Sequence, residues 1–119
     1  MTFELILIYF FHWVGDFVLQ TKYISENKNK SFLALFFHVC LYTATIGLPL
    51  LLIAPFIHEH YYIAWILLNG GFHFAGEAIM SKMYSKYQDE GKTKAAFNAM
   101  GFEQFIHTCF LTLTTAWFI

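Results

Sequence analysis

Apolar residues occur along this chain in four long stretches, which are separated by short polar or lysine-rich segments. The stretches cover approximately residues 3–20, 32–57, 61–81 and 96–118. An α-helix needs about 20 residues to cross the hydrocarbon core of a membrane, and the stretches approach or exceed that length. The pattern therefore predicts an all-α membrane protein, in which residues 1–119 form a single domain of four transmembrane helices.

The composition supports this interpretation and argues against other classes of protein. Of the 119 residues, 58% are hydrophobic and 13% are charged, whereas soluble domains have about 25% charged residues. A soluble globule of this length has too little interior to bury so much apolar surface. The chain has 7 basic and 8 acidic residues, so we expect membrane lipid, and no nucleic acid, as its partner.

The distribution of basic residues predicts the orientation in the membrane. All seven are lysines, and they follow the first and third stretches: Lys22, Lys28, Lys30, Lys82, Lys86, Lys92 and Lys94. Residues 55–60, between the second and third stretches, include no lysine. Because cytoplasmic loops carry the excess of positive charge, we expect both lysine-rich segments in the cytoplasm. Both termini then lie on the outer side of the inner (cytoplasmic) membrane, opposite the cytoplasm.

Short motifs recur between the two halves of the chain. FHWVGD at residues 11–16 is similar to FHFAGE at residues 72–77, and FHVC at 37–40 is similar to IHTC at 106–109. A two-helix unit returns the chain to its starting side, so the two hairpins have the same orientation. We therefore expect a parallel repeat, in which a pseudo-two-fold axis along the membrane normal relates the hairpins.

Histidines and acidic residues occur together within the apolar stretches. Three stretches carry a histidine and a carboxylate four positions apart, which places each pair on one face of a helix. Counted from the helix ends, all of these side chains lie at a similar depth in the cytoplasmic half of the membrane, and no lysine or arginine is expected at that depth. The seven residues are His12, Asp16, His38, His73, Glu77, Glu103 and His107.

Their chemistry favours a metal site. A charged carboxylate at the centre of a membrane costs about 2.5–3.5 kcal/mol, unless it is protonated, hydrated, paired or bound to a cation. Imidazoles and carboxylates are ligands of zinc, iron and manganese. We therefore expect the seven residues to hold one or two divalent transition-metal ions. Polar residues near these positions are expected to orient the ligands or the substrate: Gln20, Tyr42, Asn69, Ser81 and Gln104.

The motif HWVGDFVLQT at residues 12–21, followed by Glu26-Asn27-Lys28, resembles the domain-of-unknown-function 3307 family of small integral membrane proteins. The resemblance covers nearly the whole chain and includes His38 with Tyr42, Asn69 with His73, Ser81-Lys82, and the Glu103-Gln104-Phe105-Ile106-His107 run. Glu77 and Glu103 stand where the family usually has aspartate. The resemblance implies the same site and topology, but no particular reaction. The histidines and acids are also loosely similar to those of proteins labelled membrane-bound metal-dependent hydrolases.

Three functions are compatible with these residues. The first is a metal-dependent hydrolase of a lipid or phosphoester, with Glu103 as the catalytic general base beside metal-bound water. The second is a carrier or channel for protons or metal ions, and here four thin helices favour a homo-oligomer. The third is a non-catalytic structural or regulatory membrane module, in which the same side chains hydrogen-bond between helices.

Overall fold

The computed structural model describes residues 2–119, and this part of the chain contains helices and no strands. Helix α1 covers Thr2–Trp13 and continues into a π-helical turn at Val14–Val18. A short helix, α2, follows at Lys22–Asn27. The three longest helices are α3 at Phe32–Ile53, α4 at Glu59–Asp89 and α5 at Thr93–Phe118. The prediction of an all-helical chain is therefore confirmed.

Local sequence signals determine where several helices begin and end. The Thr21 hydroxyl accepts a hydrogen bond from the Ile24 N–H at 3.2 Å, and the Ser31 hydroxyl accepts one from the Ala34 N–H at 3.3 Å. These side chains cap the first turns of α2 and α3. Between α4 and α5, Gly91 has a φ angle of +73°. This left-handed conformation favours glycine and allows the chain to reverse sharply.

The helices differ in length from the predicted apolar stretches. The first helical segment ends at Val18 rather than near residue 20, and α3 ends at Ile53 rather than near residue 57. Helix α4 continues to Asp89, eight residues beyond the predicted end. Helix α2 was not predicted. The differences arise because hydropathy marks only the apolar part of a helix, whereas the backbone remains helical until a turn ends it.

Two helices, α3 and α4, are long and apolar enough to cross a membrane by length and composition. Helix α1 has 12 residues before the π-helical turn. Helix α5 has 26 residues, but histidine, glutamate, glutamine and several threonines lower its apolar character. The presence of four membrane-spanning helices therefore stays a prediction. The location of both termini on the outer side of the membrane stays a prediction as well.

Helix α1, together with its π-helical turn, forms an antiparallel bundle with α3, α4 and α5. Each of these four contacts two neighbours, in the order α1, α3, α4, α5 and back to α1. Between α4 and α5, Trp65 contacts Thr115 and Gly76 lies opposite His107, so residue numbers rise in one helix as they fall in the other. The other three interfaces show the same reversal. Helix α1 is thus diagonal to α4, and α3 is diagonal to α5. The predicted repeat would require this placement, although the repeat itself stays a prediction.

The buried side chains change character along the bundle. In the half nearer the termini they are mainly apolar, and five of them are at most 1% exposed: Ile8, Ile46, Leu50, Trp65 and Leu111. In the half nearer the lysine-rich segments, the buried positions are largely histidines and carboxylates. The apolar core therefore closes one end of the buried polar region.

Large apolar side chains also cover the outside of the bundle. Phe3, Phe32, Leu52, Leu67 and Phe105 come from four helices, and each is between 62% and 83% exposed. Soluble monomers rarely expose apolar patches larger than a few hundred Å². The combination of a partly polar interior and an apolar exterior is typical of a protein surrounded by lipid.

Replacing one buried and one exposed leucine tests which apolar side chains form the core of the bundle and which lie on its outer surface. Leu50 is 0% exposed and Leu52 is 83% exposed, and both lie near the end of α3. We expect Leu50→Ala to lower the free energy of unfolding by about 2–5 kcal/mol, because it leaves a cavity. Leu52→Ala should change it by about 0.5 kcal/mol or less. Reversible unfolding in mixed detergent micelles measures both values, and equal losses would contradict the assignment.

Candidate metal centre

Two helices and the π-helical turn bring together four side chains that could bind a metal, in the half of the bundle near the lysine-rich segments. Asp16 comes from the turn, His38 from α3, and His73 and Glu77 from α4. Each is at most 3% exposed, and their ligand atoms all lie within 4.8 Å of one another. We call these four residues the quartet.

The π-helical turn places Asp16 against α3. Its backbone is wider than an α-helix, because the Leu19 N–H donates to the Val14 carbonyl, five residues earlier, at 2.9 Å. Gly15 permits a close approach, since a Cβ at this position would be 3.2 Å from Thr45 Cβ. Single π-helical turns are rare and occur frequently at functional sites. This turn brings the Asp16 carboxylate beside the histidine of α3.

The atoms of the quartet have the spacing of ligands around one ion. His38 Nε2 lies 3.2 Å from Asp16 Oδ1 and 3.6 Å from Glu77 Oε1. His73 Nε2 lies 3.4 Å and 3.9 Å from the same oxygens, and 3.1 Å from His38 Nε2. Around a tetrahedral ion with bonds of about 2.0–2.1 Å, neighbouring ligand atoms are about 3.3 Å apart. One proton between two of these atoms would satisfy a single pair, whereas one cation can satisfy all four.

The hydrogen bonding of Asp16 also suits a cation. Within residues 2–119, Asp16 Oδ1 has no hydrogen-bond partner, although it is buried and faces two histidine Nε2 atoms. Buried polar atoms normally have partners, so an unpaired carboxylate oxygen requires an explanation. A metal ion between Asp16 Oδ1 and the two imidazoles would supply this oxygen with a partner, as would a proton on His38 Nε2, which lies 3.2 Å away.

Each carboxylate of the quartet directs one oxygen toward the histidines and the other toward a hydrogen-bond donor. Gln104 Nε2 donates to Asp16 Oδ2 at 2.7 Å, and Lys28 Nζ donates to Glu77 Oε2 at 2.8 Å. Lys28 Nζ also donates to Gln20 Oε1 at 2.8 Å. Donors of this kind fix the orientation of ligands in metal sites.

The expectation that no lysine reaches the depth of the carboxylates is wrong. Lys28 belongs to the segment between the first two long helices, and its side chain is only 16% exposed. This segment folds back over the end of the bundle through α2, whereas hydropathy places its side chains away from the membrane. The available signal was the position of Lys28 in the motif that resembles the family.

His12 lies beside the quartet, but both of its ring nitrogens are engaged. Nδ1 lies 2.8 Å from the Tyr42 hydroxyl, and Nε2 lies 2.8 Å from Gln104 Oε1. Because an amide oxygen only accepts hydrogen bonds, the network assigns the proton to Nε2, and the Tyr42 hydroxyl donates to Nδ1. The Tyr42 ring also stacks on His73, with ring centroids 3.8 Å apart. His12 therefore helps to orient Asp16 through Gln104, and Tyr42 helps to orient His73 by stacking on its ring.

Glu103 and His107 lie on α5, next to the quartet. His107 Nε2 is 4.0 Å from Glu103 Oε1. Across the described chain, neither of these atoms nor His107 Nδ1 has a hydrogen-bond partner. Ligand atoms of His107, His12 and Asp16 lie within 4.8 Å of one another. The seven predicted ligands thus occupy one buried region, and four of them converge on a single point.

The other predicted orienting residues have different positions. The Ser81 hydroxyl donates to the Glu77 carbonyl and lies at the wall of a polar cleft. Asn69 makes its side-chain hydrogen bonds away from the quartet, since its amide donates to the Trp65 carbonyl at 2.9 Å and to Thr114 Oγ1 at 3.0 Å. Asn69 therefore links α4 to α5 rather than orienting a ligand.

A polar cleft of about 660 Å³ leads from this region to the lysine-rich end of the bundle. Glu77 and Glu103 form part of its wall, and Lys28, Lys30 and Gln88 are among its other lining residues. The cleft reaches the two buried carboxylates from that end, and its lysines attract anions.

A family model described as Protein of unknown function (DUF3307) matches residues 3–119. The chain belongs to this family. No curated protein and no solved structure matches it. Membership confirms the resemblance that the sequence motifs indicated, and the chemistry has to be inferred from the geometry of the site.

The buried region contains more acidic groups than lysines. Asp16, Glu77 and Glu103 carry three carboxylates, and Lys28 contributes one ammonium group. With all three carboxylates ionised and the imidazoles neutral, as metal ligation requires, the formal charge is −2. One divalent cation would neutralise this charge, and protons on the carboxylates or imidazoles would do so in metal-free protein.

Removing the ammonium group of Lys28 tests the ion pair with Glu77. In metal-free protein, we expect Lys28→Met to lower the free energy of unfolding by about 3 kcal/mol, because the buried carboxylate loses its partner. The exposed Lys30 provides the control Lys30→Met, which should change stability little. In a Glu77→Gln background the effect of Lys28→Met should become small. An equal loss in both backgrounds, measured by unfolding in mixed micelles, would contradict the pairing.

Proposed function

We propose that this chain is a multi-pass protein of the inner membrane, that its quartet holds a divalent transition-metal ion, and that it hydrolyses a phosphoester of a membrane lipid. The observation that carries the proposal is the convergence of two histidine nitrogens and two carboxylate oxygens, all buried. The nitrogens are 3.1 Å apart and lie 3.2–3.9 Å from the oxygens. The substrate would enter through the cleft beside Glu103.

The apolar exterior supports the membrane part of the proposal. The bundle is 49 Å long, and a membrane with its headgroup regions is about 40–45 Å thick. At a rise of about 1.5 Å per residue, the 26 residues of α5 are also long enough to span. The Thr108 and Thr112 hydroxyls of α5 donate to carbonyls of their own helix, which reduces their polarity toward lipid. The excess of lysine then assigns the open end of the cleft to the cytoplasm and both termini to the outside.

The ligand set supports the metal part. Two imidazole nitrogens and two carboxylate oxygens suit zinc, iron or manganese. The hydrogen bonds from Gln104 and Lys28 hold the two carboxylates so that one oxygen of each faces the histidines. The formal charge of −2 favours a divalent ion over a monovalent one.

The position of Glu103 supports a hydrolytic reaction. A divalent ion at the quartet would supply a bound water whose pKa is lowered toward about 7. Glu103, at the wall of the cleft, would accept a proton from the attacking water as general base. The water oxygen forms a bond to phosphorus as the bond from phosphorus to the ester oxygen breaks. The proton on Glu103 then passes to the leaving alkoxide, and Lys28 and Lys30 attract the anionic phosphate.

The apolar core favours an enzyme over a pore through the membrane. Ile46, Leu50 and Trp65 are fully buried on the side of the quartet away from the cleft, so apolar side chains fill much of the bundle between the quartet and its opposite end. The alternative function, a carrier or channel for protons or metal ions, predicts flux into proteoliposomes that Asp16→Asn abolishes. The hydrolase proposal predicts no such flux.

Elemental analysis of purified protein tests the metal site. We expect at least one zinc, iron or manganese ion per chain, and we expect His38→Ala to lose it, because three ligands remain without the fourth. His58, exposed at the opposite end of the bundle, provides the control His58→Ala, which should retain the ion. Wild-type protein that takes up no metal after loading with each of the three ions would refute the proposal.

Hydrolysis by the metal-loaded protein tests the reaction. The probes are mixed micelles that contain short-chain phosphatidic acid, a phosphate monoester, or phosphatidylglycerol, a phosphate diester. We expect Glu103→Gln to lower the rate by about 10²–10⁴-fold, because it removes the general base, and to keep the ion of the quartet. Glu59→Gln, at an exposed position far from the cleft, should retain the rate. If metal-loaded wild type cleaves neither lipid, the assignment as a phosphoester hydrolase fails.

A further inference from the structure

The geometry points to a binding site for the headgroup of an anionic phospholipid, in a small basic pocket between the N-terminal end of α3 and the neighbouring part of α4. We call it the lysine pocket. Its volume is about 210 Å³, and its lining includes Lys28, Lys30, Phe32, Phe74, Ala78 and Lys82. The inference rests on the membrane part of the proposed function and is independent of the metal ion and of the reaction.

The lysine pocket differs from the cleft, although the turn at residues 28–30 lines both. Three glutamates line the cleft, namely Glu26, Glu77 and Glu103. In residues 2–119, by contrast, no acidic residue and no histidine lines the lysine pocket. The lysine pocket therefore offers positive charge without a metal ligand or a general base, and its occupant would be an anion that binds without being cleaved there.

Two lysines of the pocket are available for such an anion. Lys28 directs its ammonium group to Glu77, whereas the described part of the chain provides no carboxylate partner for Lys30 or Lys82. The N-terminal end of α3, a helix of 22 residues, adds partial positive charge from its backbone. The pocket thus has uncompensated positive charge, which is complementary to a phosphate group.

Aromatic rings beside the lysines identify the phosphate as part of a lipid. The Phe32 ring packs against Phe74, with centroids 5.9 Å apart, and stacks on Phe36 at 6.1 Å. Phe32 is 70% exposed and Phe36 is 50% exposed. Because α3 and α4 are antiparallel, Phe36 and Phe74 continue from Lys30 and Lys82 toward the middle of the bundle. A free phosphate would contact only the lysines, whereas the acyl chains of a phospholipid would also cover these rings.

The position of the pocket suits a lipid of the cytoplasmic leaflet. The proposed topology places the lysine-rich end of the bundle at that surface, where anionic lipids are found. Basic pockets between membrane helices on the cytoplasmic side are typical sites for anionic headgroups, and each lysine near the surface raises the affinity about fivefold. With two available lysines, we expect phosphatidylglycerol to bind about 25-fold more tightly than zwitterionic phosphatidylcholine.

Lipid binding by metal-free protein tests the inference. Protein stripped with a chelator in neutral detergent is titrated with each of the two lipids, and native mass spectrometry counts the bound molecules. Lys82→Gln should weaken the binding of phosphatidylglycerol about fivefold, and Ala78→Leu should weaken it because the larger side chain fills the pocket. Lys86→Gln and Ala75→Leu provide matched controls at exposed positions of α4 outside the pocket, and both should bind as wild type does.

The outcomes separate this inference from the proposed metal centre. Equal affinity of wild type for the two lipids, or equal losses in Lys82→Gln and Lys86→Gln, would overturn the lysine pocket, because the attraction would then be absent or diffuse. Glycerol 3-phosphate that displaces the lipid at equal concentration would overturn the assignment to a lipid, since it has no acyl chains to cover Phe32. The protein is metal-free, so each of these failures leaves the quartet standing, and loss of the metal centre would leave the lysine pocket standing.

Discussion

The need to compensate three carboxylates inside a bundle with an apolar exterior governs the rest of this structure. Water is scarce at such a position, so each negative charge requires a donor, a proton or a cation. Gln104 and Lys28 each satisfy one oxygen of a carboxylate. The other oxygens of Asp16 and Glu77 face histidine nitrogens, an arrangement that the proposed divalent cation would complete.

The backbone of the bundle serves this arrangement. The antiparallel order of the helices brings the motifs of α1, α3, α4 and α5 to one level, and the π-helical turn directs Asp16 toward α3. The segment with α2 returns Lys28 to the site from outside the bundle. Gly15 and Gly76 allow close approach where a side chain would separate the groups. The apolar core lies on the other side of the site, toward the termini.

Much of the fold and of the site could be predicted from the sequence, because both depend on helical periodicity and on depth. The spacing of four residues placed His73 and Glu77 on one face, and counting from the helix ends placed all seven candidate ligands at one level. Rotation about the helix axis could not be predicted in this way. His12 and His73 occupy equivalent positions in the repeated motif, yet His12 is hydrogen-bonded to Gln104, while His73 faces the quartet. Two other contacts could not be predicted for a related reason. Asn69 bonds to Thr114 of the neighbouring α5, and Lys28 reaches Glu77 because its segment folds back over the bundle.

The local structure around a bound metal shows directly whether the quartet holds it. X-ray absorption spectroscopy of the chain loaded with one equivalent of zinc reports the identity and distance of the ligand atoms. We predict nitrogen and oxygen neighbours at about 2.0–2.1 Å, together with outer-shell scattering from two imidazole rings. His38→Ala should reduce this imidazole scattering. A shell of oxygen atoms without imidazole scattering, or a shell that contains sulfur, would contradict it.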